Sequence, residues 1–356
     1  MFHLNVPVHA IRPFDGYGKY IRDLLRAMMA HGGFDFRAYL AHQYDWDTWL
    51  QNATGIDHSR LTLYIAPASE VRPTPSRNWI LSMYESTRIP AGWTENVNER
   101  CERMIAPCQW VKDVFAANGV TVPIHVVPGG VDGNRYALLP PRPKERPYTF
   151  LCLADRATRK GWDVALLAFM QAFRADDNVA LIVKARKPDI LKMFTPDAVR
   201  DDLTRKIRLW CGEIEDERDI YAHADCYVYP TCAEGWGSPP REAAACGLPV
   251  LATNFSGTAV GCEAWAIPLN DYHLVDSADL PTPRAPGQWA RVNVDEVAHW
   301  MRWCYTHPDE AREKGQQGAA WLRAHQTWEQ SAQALYDLIE EIDVRRPMAA
   351  HEQWQW

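Results

Sequence analysis

Short apolar segments and longer amphipathic segments alternate along most of this chain. The first apolar segment, Phe2–Val8, is typical of a strand. In the segment that follows, apolar residues recur every three or four positions, which predicts a helix over Tyr17–Ala30. Strands that alternate with helices indicate parallel sheets covered by helices on both faces. Further strands of this first part are predicted at Phe36–Leu40, Leu61–Ala66, Trp79–Tyr84, Arg103–Ala106 and Ile124–Val127, and a further helix at Val111–Ala117.

A proline-rich segment interrupts this alternation. Residues 139–147 contain four prolines in nine positions, a density that disfavours both a helix and a central strand. We therefore predict a linker between two domains, which agrees with a length of 356 residues. The predicted parts are a first domain at 1–138, the linker at 139–147, a second domain at 148–327, a last helix at 328–345 and a tail at 346–356.

The second part repeats the pattern of the first. Its predicted strands are Tyr148–Ala154, Val179–Lys184, Lys206–Cys211, Cys226–Tyr229 and Pro249–Thr253. Its predicted helices are Trp162–Arg174, 216–223, 294–305, 308–325 and a last one from Thr327 to about Val344.

Two carboxylates flank the start of a short predicted helix. Glu234 and Glu242 are eight residues apart, and the glycines and prolines between them end in Ser238, which we predict to be the N-cap of the helix. Gly247 is predicted to lie just past its end. Free N–H groups at a helix start bind anions. A carboxylate on each side of a diphosphate site suits a sugar nucleotide, since one can hold sugar hydroxyls and the other the ribose.

A cationic loop is predicted beside this helix. Arg156, Arg159 and Lys160 come directly after the first strand of the second domain, at the edge of the sheet where ligands bind in doubly wound folds. Fixed cations at that edge would stabilise negative charge on a bound ligand such as a diphosphate.

Composition narrows the classes of function. Apolar residues make up 47% of the chain and charged ones 23%, as in soluble globular proteins, and the net charge of −7 disfavours a generally cationic nucleic-acid binder. We find neither an apolar stretch long enough to span a membrane nor a signal peptide. Nine cysteines without a C-x-x-C pair indicate reduced thiols, mostly buried, in a cytoplasmic protein. The histidines show no metal-binding spacing.

Together these motifs resemble those of the retaining group 1, or GT4-like, glycosyltransferases. The resemblance rests on the two glutamates of Glu234–Glu242, on the segment 245–253 that follows, on the Lys160-Gly161 pair and on a glycine-rich loop at Gly16 and Gly18. It implies a GT-B architecture of the α/β class, with two Rossmann-like doubly wound domains that face a cleft. The last helix would cross back to the first domain.

The resemblance also implies a reaction and a set of site residues. A hexose would pass from a nucleoside diphosphate sugar, linked to UDP or GDP, to a hydroxyl group of a glycan, a lipid or another acceptor, without a metal ion or a separate cofactor. Glu234 would hold the sugar and Glu242 the ribose. Many family members have a histidine near the position of Glu85, which makes this glutamate a candidate on the acceptor side. The implied catalytic residues are Arg156, Lys160, Glu234 and Glu85, and the implied donor-binding residues are Gly16, Gly18, Arg159, Gly212, Glu213, Gly235, Trp236, Gly237, Ser238 and Glu242.

Three alternatives stay open at this point. The acceptor could be a nucleic-acid base or a nucleotide, in which case Arg72, Arg77 and Arg88 would form a local basic patch. The protein could be a sugar-nucleotide epimerase on the same fold. It could also be a binding module for sugar nucleotides that has lost catalysis.

Overall fold

A computed structural model gives the architecture of the chain. It describes residues 1–8, 16–40, 59–71, 77–143, 145–154, 158–185, 201–212, 214, 216–280 and 286–345. Over these residues the chain forms two six-stranded sheets, both parallel, and a small antiparallel hairpin. The predicted fold class is therefore confirmed.

The first domain contains one six-stranded sheet in the order β2-β1-β3-β4-β5-β6. Its strands are β1 (Phe2–Val8), β2 (Phe34–Leu40), β3 (Leu61–Ile65), β4 (Asn78–Leu81), β5 (Arg103–Ala106) and β6 (Ile124–Val126). Its helices are α1 (Gly16–His31), α2 (Trp93–Arg100) and α3 (Gln109–Ala117). The sequence pattern missed α2 because only Trp93 and Val97 of this short helix are buried.

The second domain has the sheet order β12-β11-β10-β7-β8-β9. Its strands are β7 (Tyr148–Ala154), β8 (Val179–Ala185), β9 (Ile207–Cys211), β10 (Cys226–Tyr229), β11 (Val250–Thr253), β12 (Ile267–Leu269) and the hairpin strands β13 (Tyr272–Asp276) and β14 (Gln288–Val292). Its helices are α4 (Trp162–Ala172), α5 (Asp201–Thr204), α6 (Glu217–Ala222), α7 (Ser238–Ala245), α8 (Cys262–Trp265), α9 (Val294–Thr306) and α10 (Pro308–His325).

The order of the second sheet fixes where a ligand can bind. The strand β7 lies between β8 and β10, so the chain proceeds towards one edge of the sheet after β7 and towards the other after β10. Such a switch point leaves a crevice outside the carboxyl ends of the two strands. The loops that follow β7 and β10 therefore meet at the most favourable position for a ligand.

The last helix, α11 (Trp328–Arg345), packs on the first domain, as predicted. Its apolar residues Trp328, Leu335 and Ile339 belong to the hydrophobic core of that domain, and Trp328 contacts Tyr20 edge to face at 4.9 Å between ring centroids.

The chain crosses between the domains twice, and the two crossings touch. A parallel bridge joins Val131 to Thr327, and the N–H of Val131 donates to the carbonyl of Gln326 at 2.9 Å. Gly130 makes this contact possible, since a Cβ at that position would lie 2.5 Å from the carbonyl carbon of Thr327. The two connections thus run side by side at one place.

The cysteines agree with the prediction of reduced and mostly buried thiols. All nine are free thiols, and eight of them are buried, whereas Cys211 is exposed. Along the described residues, no helix combines the length and the apolar character needed to cross a membrane.

Candidate functional site

The start of α7 is built on Gly237 rather than on Ser238. Gly237 is the N-cap, with a φ of 83°, and Ser238 is the first helical residue, so the predicted N-cap was wrong by one position. A side chain at 237 would meet Thr258 at 2.7 Å in addition to the backbone strain. No side chain caps the helix, and because Pro239 and Pro240 have no N–H, Ser238 is the residue of the first turn that offers one to an external acceptor. At the other end Gly247, with a φ of 85°, follows the helix as predicted.

Glu234 is the centre of a dense hydrogen-bond network. Its side chain is 7% exposed. One carboxylate oxygen, Oε1, makes all of the polar side-chain contacts of Glu234 with the described residues, and Oε2 has no donor among those residues. The donors to Oε1 are Lys160 Nζ at 2.7 Å, Tyr229 OH at 2.6 Å and Thr231 Oγ1 at 3.0 Å, and Arg159 Nη1 forms an ion pair with the same oxygen at 3.0 Å.

Two neighbouring loops supply these donors. Arg159 and Lys160 lie in a 3₁₀ turn after β7, and Thr231 follows β10, the strand that pairs with β7. The carbonyl of Arg159 accepts from Thr231 Oγ1 at 3.1 Å and from the N–H of Cys232 at 2.7 Å, so the loops are bonded to each other. The arrangement fixes the position of Oε1.

Burial and charge set the protonation of this cluster. Burial alone would raise the pKa of Glu234, but the charges of Arg159 and Lys160 outweigh it and lower the pKa to about 2. Burial and the charge of Arg159 lower the pKa of Lys160, although Glu234 opposes the change. The pKa of Arg159 is raised: burial would lower it, but Glu234 and Glu85 more than compensate. The carboxylate is thus firmly ionised at neutral pH.

The low pKa of Glu234 predicts that part of the free energy of unfolding is lost in acid. A carboxyl whose folded pKa lies below its ordinary value of 4.5 stabilises the fold above that value, and the contribution is lost as the pH falls from about 4.5 towards 2. The difference between the ordinary pKa of 4.5 and the lowered pKa of about 2 corresponds to about 3 kcal/mol in the free energy of unfolding. Denaturant unfolding between pH 7 and pH 3 should therefore show a steeper loss for the wild type than for Glu234→Gln. Equal pH dependence of the two proteins would contradict the assignment, and Glu263→Gln, an exposed glutamate of α8, is the control.

Glu242 lies in the second turn of α7 and is also buried, with its side chain 6% exposed. Its Oε1 is 2.6 Å from Nζ of Lys19, and its Oε2 accepts from Tyr221 OH at 3.1 Å. Lys19 belongs to α1 of the first domain, so this ion pair crosses between the domains. No sequence motif pointed to Lys19, although this residue directly follows Gly18.

Glu85 approaches the same site from the first domain. Its Oε1 is 3.9 Å from Nη2 of Arg159, so the guanidinium lies between Glu85 and Glu234. The carbonyl of Glu85 accepts from the indole N–H of Trp289 at 2.7 Å. Trp289 belongs to the hairpin β13–β14, which also bonds to Thr87 of the first domain. The hairpin thereby holds Glu85 opposite Glu234.

Trp236 packs in the interior of the protein. Its side chain belongs to the core of the first domain, and the guanidinium of Arg241 stacks on its ring at 3.9 Å. Arg241 is fully buried and donates to Gln326 Oε1 and to the carbonyls of Trp236, Gly237, Gly257 and Val260. Burial lowers its pKa to about 9, so it stays charged at neutral pH. Gly235 is packed against Met83, which leaves no space for a side chain.

The remaining predicted residues fall in three groups. Arg156 and Glu213 lie outside the described residues. Gly16 begins α1 and Gly18 is buried within it. Gly212 has a φ of 110°, with open space around it, and its carbonyl accepts from Lys184. The roles given to these residues stay predictions.

The basic patch proposed for a nucleic-acid acceptor is weaker than the sequence implied. Arg72 lies outside the described residues. Arg77 forms an ion pair with Glu102 at 3.0 Å, which neutralises its charge. Arg88 is exposed.

Comparisons with known proteins agree with the geometry. Residues 147–277 match the family described as "Glycosyl transferases group 1". A GDP-mannose-dependent alpha-(1-6)-phosphatidylinositol monomannoside mannosyltransferase of Mycobacterium tuberculosis is 27% identical over 251 residues, which are 65% of this chain. The match spans 59% of that relative's length.

Solved structures share the whole fold. The Anabaena protein HepE, solved in complex with UDP, has a TM-score of 0.69 at 13% identity, over 96% of this chain and 100% of its own. Sucrose-phosphate synthase from Thermosynechococcus elongatus has a TM-score of 0.70 at 14% identity, over 97% and 100%. These structures confirm the predicted GT-B fold, and the match of residues 147–277 supports the resemblance to group 1 glycosyltransferases.

Proposed function

We propose that this protein transfers a hexose from a nucleoside diphosphate sugar to an acceptor hydroxyl, because residues 147–277 match the family of group 1 glycosyltransferases. The observation that carries the proposal is the network at Glu234. Three hydrogen bonds and an ion pair hold one oxygen of this carboxylate, and the other has no donor among the described residues, so it can accept hydrogen bonds from sugar hydroxyls.

The cations around Glu234 suit the departure of a nucleoside diphosphate. Lys160 donates to Tyr229 and to Glu234, and an ammonium has a third N–H to offer. Together with Arg159 and the uncapped start of α7, it would stabilise the charge that develops on the diphosphate. This set of positive groups performs the task that a metal ion performs in other enzymes, so the proposed reaction needs none.

We also propose that the configuration at the sugar is retained. Glu234 is a poor nucleophile and a poor base, because two cations hold it as a carboxylate with a pKa of about 2. The transfer would then take place on one face of the sugar, with the departing diphosphate helping to accept the proton of the acceptor hydroxyl. Proton NMR of the product formed from an α-linked donor should show an α-linkage, and a β-linked product would contradict this part of the proposal.

The nucleotide is the first thing to establish. The relative from M. tuberculosis uses GDP-mannose and the Anabaena structure holds UDP, so both bases are candidates here. In a thermal-shift panel of UDP, GDP, ADP and dTDP, we expect one uridine or guanosine nucleotide to stabilise the protein by about 2.7 kcal/mol at one hundred times its dissociation constant. Absence of any stabilisation at millimolar nucleotide would argue against the proposed function as a whole.

An assay with the matching sugar nucleotide separates the remaining alternatives. An epimerase would consume the donor without an acceptor, and a module without catalysis would leave it unchanged. The acceptor class stays open among glycans, lipids and other hydroxyl compounds, while salt-dependent binding to DNA would favour a nucleic-acid acceptor.

A further inference from the structure

The ion pair between Lys19 and Glu242 connects the two domains at the donor site. The side chains of both residues are less than 10% exposed, at 9% and 6%, and their charged atoms are 2.6 Å apart. Lys19 also donates to Tyr136 OH at 2.5 Å, and its ammonium lies 4.8 Å from the centre of the Tyr136 ring. The lysine is therefore held by partners on both of its sides rather than lying loosely at a surface.

A buried ion pair such as this one adds little to the free energy of unfolding. The cost of removing two charges from water largely offsets their attraction, and replacing both members of a buried pair by neutral groups is often harmless. What the pair does provide is orientation. Lys19 and Tyr221 bind different oxygens of Glu242, which leaves the carboxylate one defined direction.

We propose that Lys19 is a positioning residue for the nucleotide: it orients the carboxylate of Glu242 towards the ribose and makes ribose recognition depend on contact between the two domains. The inference rests on the proposed function, since it takes Glu242 as the group that accepts from the ribose hydroxyls. In this arrangement the first domain acts on the donor through Glu242.

The test compares ribonucleotides with 2′-deoxyribonucleotides. The dissociation constants of UDP, dUDP, GDP and dGDP are measured for the wild type, for Lys19→Met and Glu242→Gln, and for the variant that carries both changes. We expect the wild type to prefer the ribose form of its nucleotide by roughly tenfold or more, the worth of one hydrogen bond to a charged group. Lys19→Met should reduce this preference to about the level of Glu242→Gln, and the double variant should show no further reduction.

The controls separate positioning from folding. Lys19→Arg keeps the charge and should restore part of the preference, and Tyr136→Phe, which removes the hydroxyl that accepts from Lys19, should reduce it partially. Both remain informative if Lys19→Met does not fold. Lys314→Met, an exposed lysine of α10, should leave the preference unchanged.

Each failure has a separate signature. If Glu242→Gln loses the ribose preference and Lys19→Met keeps it, the role of Lys19 is wrong and the proposed function stands. If the wild type binds nucleotides without preferring ribose, Glu242 is not the ribose contact and the inference is also wrong. If the wild type binds no nucleotide, the proposed function fails and the inference fails with it.

Discussion

Replacing Glu234 with glutamine is expected to lower the turnover number for sugar transfer by about 10²–10³, the cost typical of losing one charge stabiliser in an active site. Glutamine has nearly the same shape, but its amide is neutral. It would leave Lys160 and Arg159 without their shared counter-charge and would replace an acceptor towards the sugar by an amide. Both effects act at the reacting end of the donor.

The measurement is the turnover number at saturating donor and acceptor, together with the KM for the donor. Glu263→Gln removes an exposed carboxylate from the same domain and should behave as the wild type. A Glu234→Gln protein that folds normally and keeps its turnover within about threefold would show that Oε2 does not serve the sugar. Thermal unfolding of each variant at pH 7 checks that folding is intact.

The second large effect is expected from Gly161→Ala, which we predict to destabilise the fold by roughly 3–5 kcal/mol. Gly161 has a φ of 68°, which an alanine adopts only with strain. A Cβ there would also lie 2.5 Å from the carbonyl carbon of Pro230, directly after β10. Because neither backbone can yield easily, the turn that carries Lys160 would separate from the loop that carries Glu234.

A matched control separates backbone strain from the steric clash with Pro230. Gly92 has a φ of 81° but open space around it, so Gly92→Ala should cost only the strain, about 1 kcal/mol. Urea unfolding gives both values. If the two variants lose the same stability, the close approach to Pro230 is not a constraint. Residual Gly161→Ala protein should also transfer sugar slowly, because the distance from Lys160 to Glu234 depends on this contact.

The sequence predicted the fold and the second-domain half of the site, because both follow from local patterns. Strand and helix periods are visible within a few residues, and the carboxyl ends of parallel strands share an edge. The meeting of Lys160 with Glu234 is a consequence of that edge. Gly237 was missed as the N-cap because Ser238 offers the usual capping side chain, whereas the left-handed backbone of Gly237 and the close approach of Thr258 appear only in the folded chain.

Contacts between the domains were not predictable in the same way. Lys19 and Glu242 are far apart in sequence, and nothing local indicates that they pair. Nothing local to Trp236 indicates that its ring packs in the core of the first domain. The hairpin β13–β14 was missed since its strands lack a regular alternation of buried and exposed residues. Each of these features depends on how two separately patterned units dock.

The position of α11 has a consequence for the order in which the protein is made. Synthesis proceeds from the amino terminus, so the first sheet leaves the ribosome long before Trp328, Leu335 and Ile339, which complete its core. Until then the face of α1 that receives α11 stays exposed to water. The second domain, whose sheet is finished earlier along the chain than α11, can fold while the first still waits. The domain that comes first in the sequence is therefore the last to be completed.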